Sequence, residues 1–288
     1  MRGFDFLSPK SLIAALRAID GKAPTCKLLA GGTNVIPTLR DGTLKPRFVV
    51  DLGGIKALNY IREKQGWIQI GALTTIRDLL NSPLIKKKGS LLWEATHIFA
   101  GPLVRNRATV GGNLADASPA ADTAVPLLAL GARVKLRSLK GQRTVPLNRF
   151  FAGYQRTVIK PGEIVTEVTF PVPARGRKQS YYKLGRRNAM AISVVSVAVL
   201  LQMKGKICTD TAIALGAVAP TPLRVEKAEG ILRGKKVDLE LVKHCAQAAA
   251  KSVKPIDDIR ASADYRRTLC EVLVHRMICQ SLGLEDAD

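Results

Sequence analysis

The chain has 288 residues, 47% hydrophobic and 24% charged, which excludes disorder as its main state and leaves room for one large or two modest domains. Forty-five Lys and Arg against twenty-three Asp and Glu give a formal charge of +22. The cations are scattered, with dense clusters at positions such as 86–88, 175–178, 186–187 and 266–267, and no basic stripe carries interleaved aromatics. The expectation is a solvated basic surface or a docking face for an acidic partner, with no nucleic acid bound.

The opening Met1–Phe6 carries an acid where a leader needs its apolar run. The longest apolar stretch, 189–201, is too short to span a bilayer. Both point to a cytoplasmic protein with no membrane insertion. Ser8-Pro9 before Leu12, Ile13, Leu16 and Ile19 predicts a capped amphipathic helix ended by Gly21. Strands are predicted at 27–30 and 47–52, and a hairpin at 60–61 and 67–71 around the 63–66 turn. Thr74-Thr75 caps a predicted short helix to Leu80, and a second helix covers 91–99. The stretch 101–119 is punctuated by Gly, Asn and Pro. A helix over 123–130 and strands over 133–139 and 163–170 follow.

The Pro-rich, basic segment 171–178 is the best candidate for a domain boundary. Beyond it come one or two long strands (192–203, 207–218). Helices over 222–232, 239–251 and 264–282 complete an α+β module.

Two segments carry chemistry: Leu29-Ala30-Gly31-Gly32-Thr33-Asn34 and Thr109-Val110-Gly111-Gly112-Asn113-Leu114. Each places a Gly-Gly pair and a small polar side chain after β-prone residues. Paired glycines let a backbone approach a ligand closely, and consecutive free N–H groups form an anion-binding concavity. Two such loops fit a pyrophosphate held from two sides, and equally a pair of tight turns. Neither G-x-G-x-x-G nor a P-loop is present, so any nucleotide is bound through another fold. Ser118 offers a further hydroxyl. Asp122 reads as a helix cap or a ligand to a bound group. The five cysteines form no CxxC, so no metal site is expected.

AGGTN at 30–34, GALTT at 71–75, RNRATVGGNLADASPAAD at 105–122 and YYKLGRRNAMAISVVSVAV at 181–199 together resemble the FAD-binding medium subunit of the xanthine dehydrogenase and aerobic carbon monoxide dehydrogenase family, the molybdenum hydroxylases. The likeness spans nearly the whole chain in the family's order. It implies an α+β fold with a two-lobed FAD-binding domain of the vanillyl-alcohol oxidase (PCMH) type over 1–175, its lobes near 1–55 and 56–175. A small α+β flavoprotein domain then covers 176–288.

The resemblance also implies roles. Leu29, Ala30, Gly31, Gly32, Thr33, Asn34 and Val35 correspond to the loop on the FAD pyrophosphate, with Gly111, Gly112 and Asn113 as the second clasp. Thr75, Thr109 and Ser118 lie beside the cofactor, Asp122 binds the adenosine or ribityl region, and Lys183 lies near the flavin. From residue chemistry alone Lys183 reads as a solvated strand charge. Asn34 stands where many relatives carry Asp. No Cys-rich insertion for an extra cluster is present, and His97, His244 and His275 match no catalytic position of the family.

No catalytic side chain is implied, because the flavin does the chemistry. The implied partners are a large subunit with the molybdenum cofactor and a small subunit with 2Fe-2S clusters, in a heterohexamer built as a dimer of heterotrimers. The implied electron acceptor is NAD+, oxygen or a quinone. The alternatives are a free-standing FAD-dependent oxidoreductase of the same fold and a flavin-free assembly adaptor.

Overall fold

Three short parallel strands open the chain: β1 (Asp5–Leu7), β2 (Cys26–Leu29) and β3 (Phe48–Asp51), in the order β1–β3–β2. The structure is a computed structural model and describes residues 3–284. Parallel neighbours need crossovers, and helices Leu12–Ile19 and Val35–Arg40 provide them. The first helix is capped by Ser11, whose Oγ accepts from the Ala14 N–H, rather than by Ser8. Its apolar face (Ala15, Leu16, Ile19) packs on Val50, Leu52 and Ile55.

A second sheet follows. Strands β4 (Ile61–Lys64), β5 (Trp67–Gly71), β6 (Arg133–Ser138) and β7 (Gly141–Pro146) precede the small hairpin β8 (Phe151–Gly153) and β9 (Arg156–Thr157). Strand β10 (Ile164–Pro171) then inserts centrally, giving the antiparallel order β4–β5–β10–β6–β7. Alternate residues Ile68 and Ile70, Val134 and Leu136, Val168 and Phe170 belong to one core. That core also holds Leu79, Ile85, Leu91, Leu92 and Leu127 from the intervening helices.

The third sheet is a meander of β11 (Lys178–Gly185), β12 (Ser193–Lys204), β13 (Ile207–Gly216) and β14 (Leu223–Arg224). Its two faces are both buried. Val195, Val197, Val199, Ile213 and Leu215 pack on helices Glu226–Leu232, Leu239–Ser252 and Ala263–Leu282. Ala198, Leu200, Ala212 and Ala214 instead join the core of the second sheet. This second face is built from small residues, so helix Ala124–Ala129 lies close to it. A Cβ added at Gly216 would come within 2.6 Å of Val125 Cγ2.

Two segments differ from expectation. The stretch 101–119 contains helices Pro102–Arg105 and Val110–Asp116, the second capped by Thr109. The predicted helix over 222–232 begins only at Glu226, because Leu223 and Arg224 are drawn into the sheet beside Leu215 and Ala214. Among the described residues no helix is long and apolar enough to cross a membrane, and no cluster of His, Cys, Asp and Glu could hold a metal ion.

Candidate functional site

The first Gly-Gly pair leaves the carboxyl end of β2, where open sheets of parallel strands place their ligands. Leu29 ends the strand, its carbonyl accepting from the Leu52 N–H at 2.8 Å. Gly32 has φ +79°, a conformation that side-chain-bearing residues rarely adopt. Val35 starts the next helix. Among the described residues the N–H groups of Gly31, Gly32, Thr33, Asn34 and Val35 find no protein acceptor. A run of five unpartnered donors around a left-handed glycine forms the concavity that a diphosphate fills.

The second Gly-Gly pair serves differently, and here the expectation of two equivalent donor loops is corrected. Gly111 and Gly112 lie in the first turn of helix Val110–Asp116, and every early N–H is taken. Val110 donates to Thr74 O (3.0 Å), Gly111 to Ala72 O (2.9 Å), Gly112 to Thr109 Oγ1 (3.1 Å) and Asn113 to Thr109 O (2.9 Å). These glycines are needed for space. A Cβ at Gly111 would stand 2.7 Å from Ala72 O, and one at Gly112 2.8 Å from Thr109 Oγ1. Thr75 pairs with Thr109 in an antiparallel bridge and caps helix Ile76–Asn81, its Oγ1 accepting from the Asp78 N–H. Both threonine hydroxyls accept within the protein and keep their own proton to donate.

The two segments are in contact. Gly31 packs against the Arg107 carbonyl, which a Cβ there would overlap. Ala30 Cβ lies 3.8 Å from the place of a Gly112 Cβ. Asn34 Nδ2 donates to Asp116 Oδ2 at 2.7 Å. Neither Arg107 nor Asp116 was singled out from the sequence. The available signal for Asp116 was its place three residues after Asn113, on the same helix face.

Asn113 Oδ1 accepts from the Thr123 hydroxyl, which joins this helix to the neighbouring Asp122. The sequence reading aimed Asp122 and Lys183 at a cofactor. In the structure they also meet each other: Lys183 Nζ donates to Asp122 Oδ2 at 2.6 Å and to Ile98 O at 3.3 Å, and Ser193 Oγ donates to Asp122 Oδ1 at 2.9 Å. Their side chains are only 4% and 10% exposed, so Lys183 is not the solvated strand charge of the residue-level reading. Burial pushes the Asp122 carboxyl above its ordinary range, and Lys183 and Ser193 pull it back. Ser118 Oγ accepts from the Ala120 N–H in the loop before Asp122.

Two family models match the chain. That for the FAD binding domain in molybdopterin dehydrogenase covers residues 2–173, and that for the CO dehydrogenase flavoprotein C-terminal domain covers 180–281. The chain belongs to the molybdopterin dehydrogenase flavoprotein family. It is similar to the carbon monoxide dehydrogenase medium chain of Hydrogenophaga pseudoflava, 34% identical with 96% of both chains covered. It is likewise similar to the glyceraldehyde dehydrogenase medium chain of Sulfolobus acidocaldarius, 36% identical over 94% of this chain and 95% of the relative. A solved structure of carbon monoxide dehydrogenase from Hydrogenophaga pseudoflava, lacking the Mo-pyranopterin moiety of its cofactor, superposes with TM-score 0.95. It is 33% identical and 99% of each chain is covered.

The resemblance and the implied α+β architecture of an FAD-binding domain followed by a flavoprotein domain therefore hold. This flavoprotein family member is an oxidoreductase subunit whose cofactor is FAD. The fit is visible in its own atoms: the five free donors at 31–35 suit a diphosphate.

Proposed function

We propose that this chain is the FAD-carrying electron-transfer subunit of a molybdenum hydroxylase complex. It takes electrons from 2Fe-2S clusters of a small partner and passes them to NAD+, oxygen or a quinone. A large partner holds the molybdenum cofactor, and the complex is a dimer of heterotrimers in the cytoplasm. The observation that carries this reading is the run of free N–H groups at 31–35, in a chain matched end to end by a carbon monoxide dehydrogenase medium chain. In this reading the FAD domain spans 1–175, with lobes near 1–55 and 56–175, and the second domain spans 176–288.

FAD supplies the redox chemistry when bound. The chain's residues bind, orient and shield. The backbone of Gly31, Gly32, Thr33, Asn34 and Val35 donates to the diphosphate. Leu29 and Ala30 form the loop's base. Gly111 and Gly112 bring the capped helix close, so that Asn113 Nδ2 and the Thr75 and Thr109 hydroxyls can donate from its side. Ser118, Asp122 and Lys183 border the remainder of the cofactor.

A partner-facing surface is available beside Lys183. Loops 186–192 and 256–260 are tied together by Arg186 to Ile259 O, Arg260 anchors to Ser193 O at the start of β12, and Lys183 of β11 holds Ile98 O of loop 98–103. They expose Ile98, Met190, Ile192, Leu103 (83% exposed) and Ile259 (92%), an apolar group suited to a protein contact.

The test is reconstitution with the two partner subunits from the same source. Electrons from substrate should reduce FAD and then the acceptor. A Gly32→Ala complex depleted of FAD should lose acceptor reduction yet still oxidise substrate with an artificial dye. Full acceptor reduction by the FAD-depleted complex would refute the reading.

A further inference from the structure

Residues 3–55 carry the diphosphate loop, yet little polar contact fastens them to the rest of the molecule. Apolar contact exists, through Leu73 and Ile164 in the first sheet's core, and Gly31 abuts the Arg107 backbone. Among the described residues no ion pair crosses from 3–55 to the remainder. One side-chain hydrogen bond does: Asn34 Nδ2 to Asp116 Oδ2, between positions 82 apart. Asn34 lies inside the run of free donors, and Asp116 ends the helix that Thr109 caps.

We infer that the Asn34–Asp116 bond is the latch that sets the position of loop 31–35 against the second lobe before the dinucleotide arrives. The two side chains are positioning residues, acting through the backbone donors between them. The chemistry makes the pair polar in one direction: an ionised Asp can only accept, so its partner must donate. Asn at 34 meets that need. Asp at 34 would set two carboxylates face to face at hydrogen-bond distance, beside a ligand that is itself negative. The Asn at this position is then the complement of Asp116, and the two form one unit.

This inference rests on the reading that loop 31–35 holds the FAD diphosphate. Full-length protein is stripped of flavin, and FAD affinity is measured by fluorescence from pH 5 to pH 8 for wild type, Asn34→Asp, Asp116→Asn and the double variant. The melting temperature of each flavin-free chain is measured alongside. The bond is exposed and solvent screens it, so facing carboxylates beside an anionic ligand correspond to a loss of about tenfold in affinity for Asn34→Asp at pH 8. The loss should shrink towards pH 5, where the facing carboxylates share a proton. In the double variant the amide at position 116 donates to the carboxylate at position 34, reversing the bond, so affinity and melting temperature should return to within about threefold and a few degrees of Asp116→Asn alone. A loss of equal size in both backgrounds, or no loss in either, overturns the latch. If wild type binds no FAD even when joined to its partner subunits, the cofactor reading fails and the preset loop fails with it. The melting cycle then still reports whether the two side chains are coupled.

Discussion

Replacing Lys183 with Met removes the cation that neutralises Asp122 and nearly preserves side-chain length. The carboxylate would remain 10% exposed, with Ser193 Oγ at 2.9 Å as its remaining side-chain donor. Breaking a buried pair by removing one partner costs about 3–5 kcal/mol, because the other charge is left uncompensated. In a chain of this size that corresponds to a fall of roughly 10 °C in melting temperature. The pH dependence has a definite sign. Burial already raises the Asp122 carboxyl, and loss of Lys183 raises it further. The folded protein then binds a proton that the unfolded chain has released. Stability falls as pH rises from the ordinary carboxylate range through the raised value. The deficit of Lys183→Met should therefore be larger at pH 8 than at pH 5. Lys183→Met with Asp122→Asn should recover most of it. Scanning calorimetry on the full chain at both pH values is the assay. A deficit that is equal at the two pH values and unrelieved by Asp122→Asn would refute the buried-pair reasoning.

Gly31→Ala should weaken FAD binding by about tenfold or more, because its Cβ would overlap the Arg107 carbonyl and overpacking costs about 1–3 kcal/mol; flavin fluorescence titration reports it. Asp258 sits between Arg260 and the buried Arg266, both at 2.6 Å, and the Arg260 hydrogen bonds above all hold its carboxyl well below the ordinary range. Its contribution is present above the ordinary carboxylate value near 3.8 and lost as pH falls below it, so Asp258→Asn should destabilise by about 3 kcal/mol at pH 7 and much less at pH 2–3, as read by denaturant melts. Thiol titration should find Cys26 reacting first in the native chain, since Cys208, Cys245, Cys270 and Cys279 are buried and burial pushes the Cys245 and Cys270 thiols up to about 12; all five should react in denaturant.

Much of the fold was legible because its signals are local. The strands read at 67–71, 163–170, 192–203 and 207–218 match β5, β10, β12 and β13 to within two residues, and Thr75 announced its capped helix. The loop 30–34 was legible because a Gly-Gly pair follows the short strand ending at Leu28-Leu29. The second Gly-Gly segment was not. Glycine argues against helix, but Thr109 caps this one and the carbonyls of Ala72 and Thr74, more than thirty residues earlier, take its first N–H groups. Pairings across distance left no trace either. Asp122 was singled out as a cap or ligand and Lys183 through family resemblance, yet nothing in the spacing indicated that they hold each other. Asn34 and Asp116 meet only because β2 and the helix after Thr109 are brought together by the fold.

The central claim is that loop 31–35 holds the diphosphate of FAD. The most direct measurement is the visible absorption spectrum of the purified full-length chain and of Gly32→Ala, with the released cofactor identified by mass spectrometry. Gly32 carries φ +79°, so Ala there distorts the donor run, its Cβ also meeting the Ile36 and Leu29 side chains at 3.1 and 3.3 Å. The expected result is oxidised-flavin bands and released FAD from the wild type, with most of both lost from a folded Gly32→Ala. A wild-type chain that holds no flavin when saturated with FAD and joined to its partner subunits, or a Gly32→Ala chain that holds it as tightly, would contradict the claim.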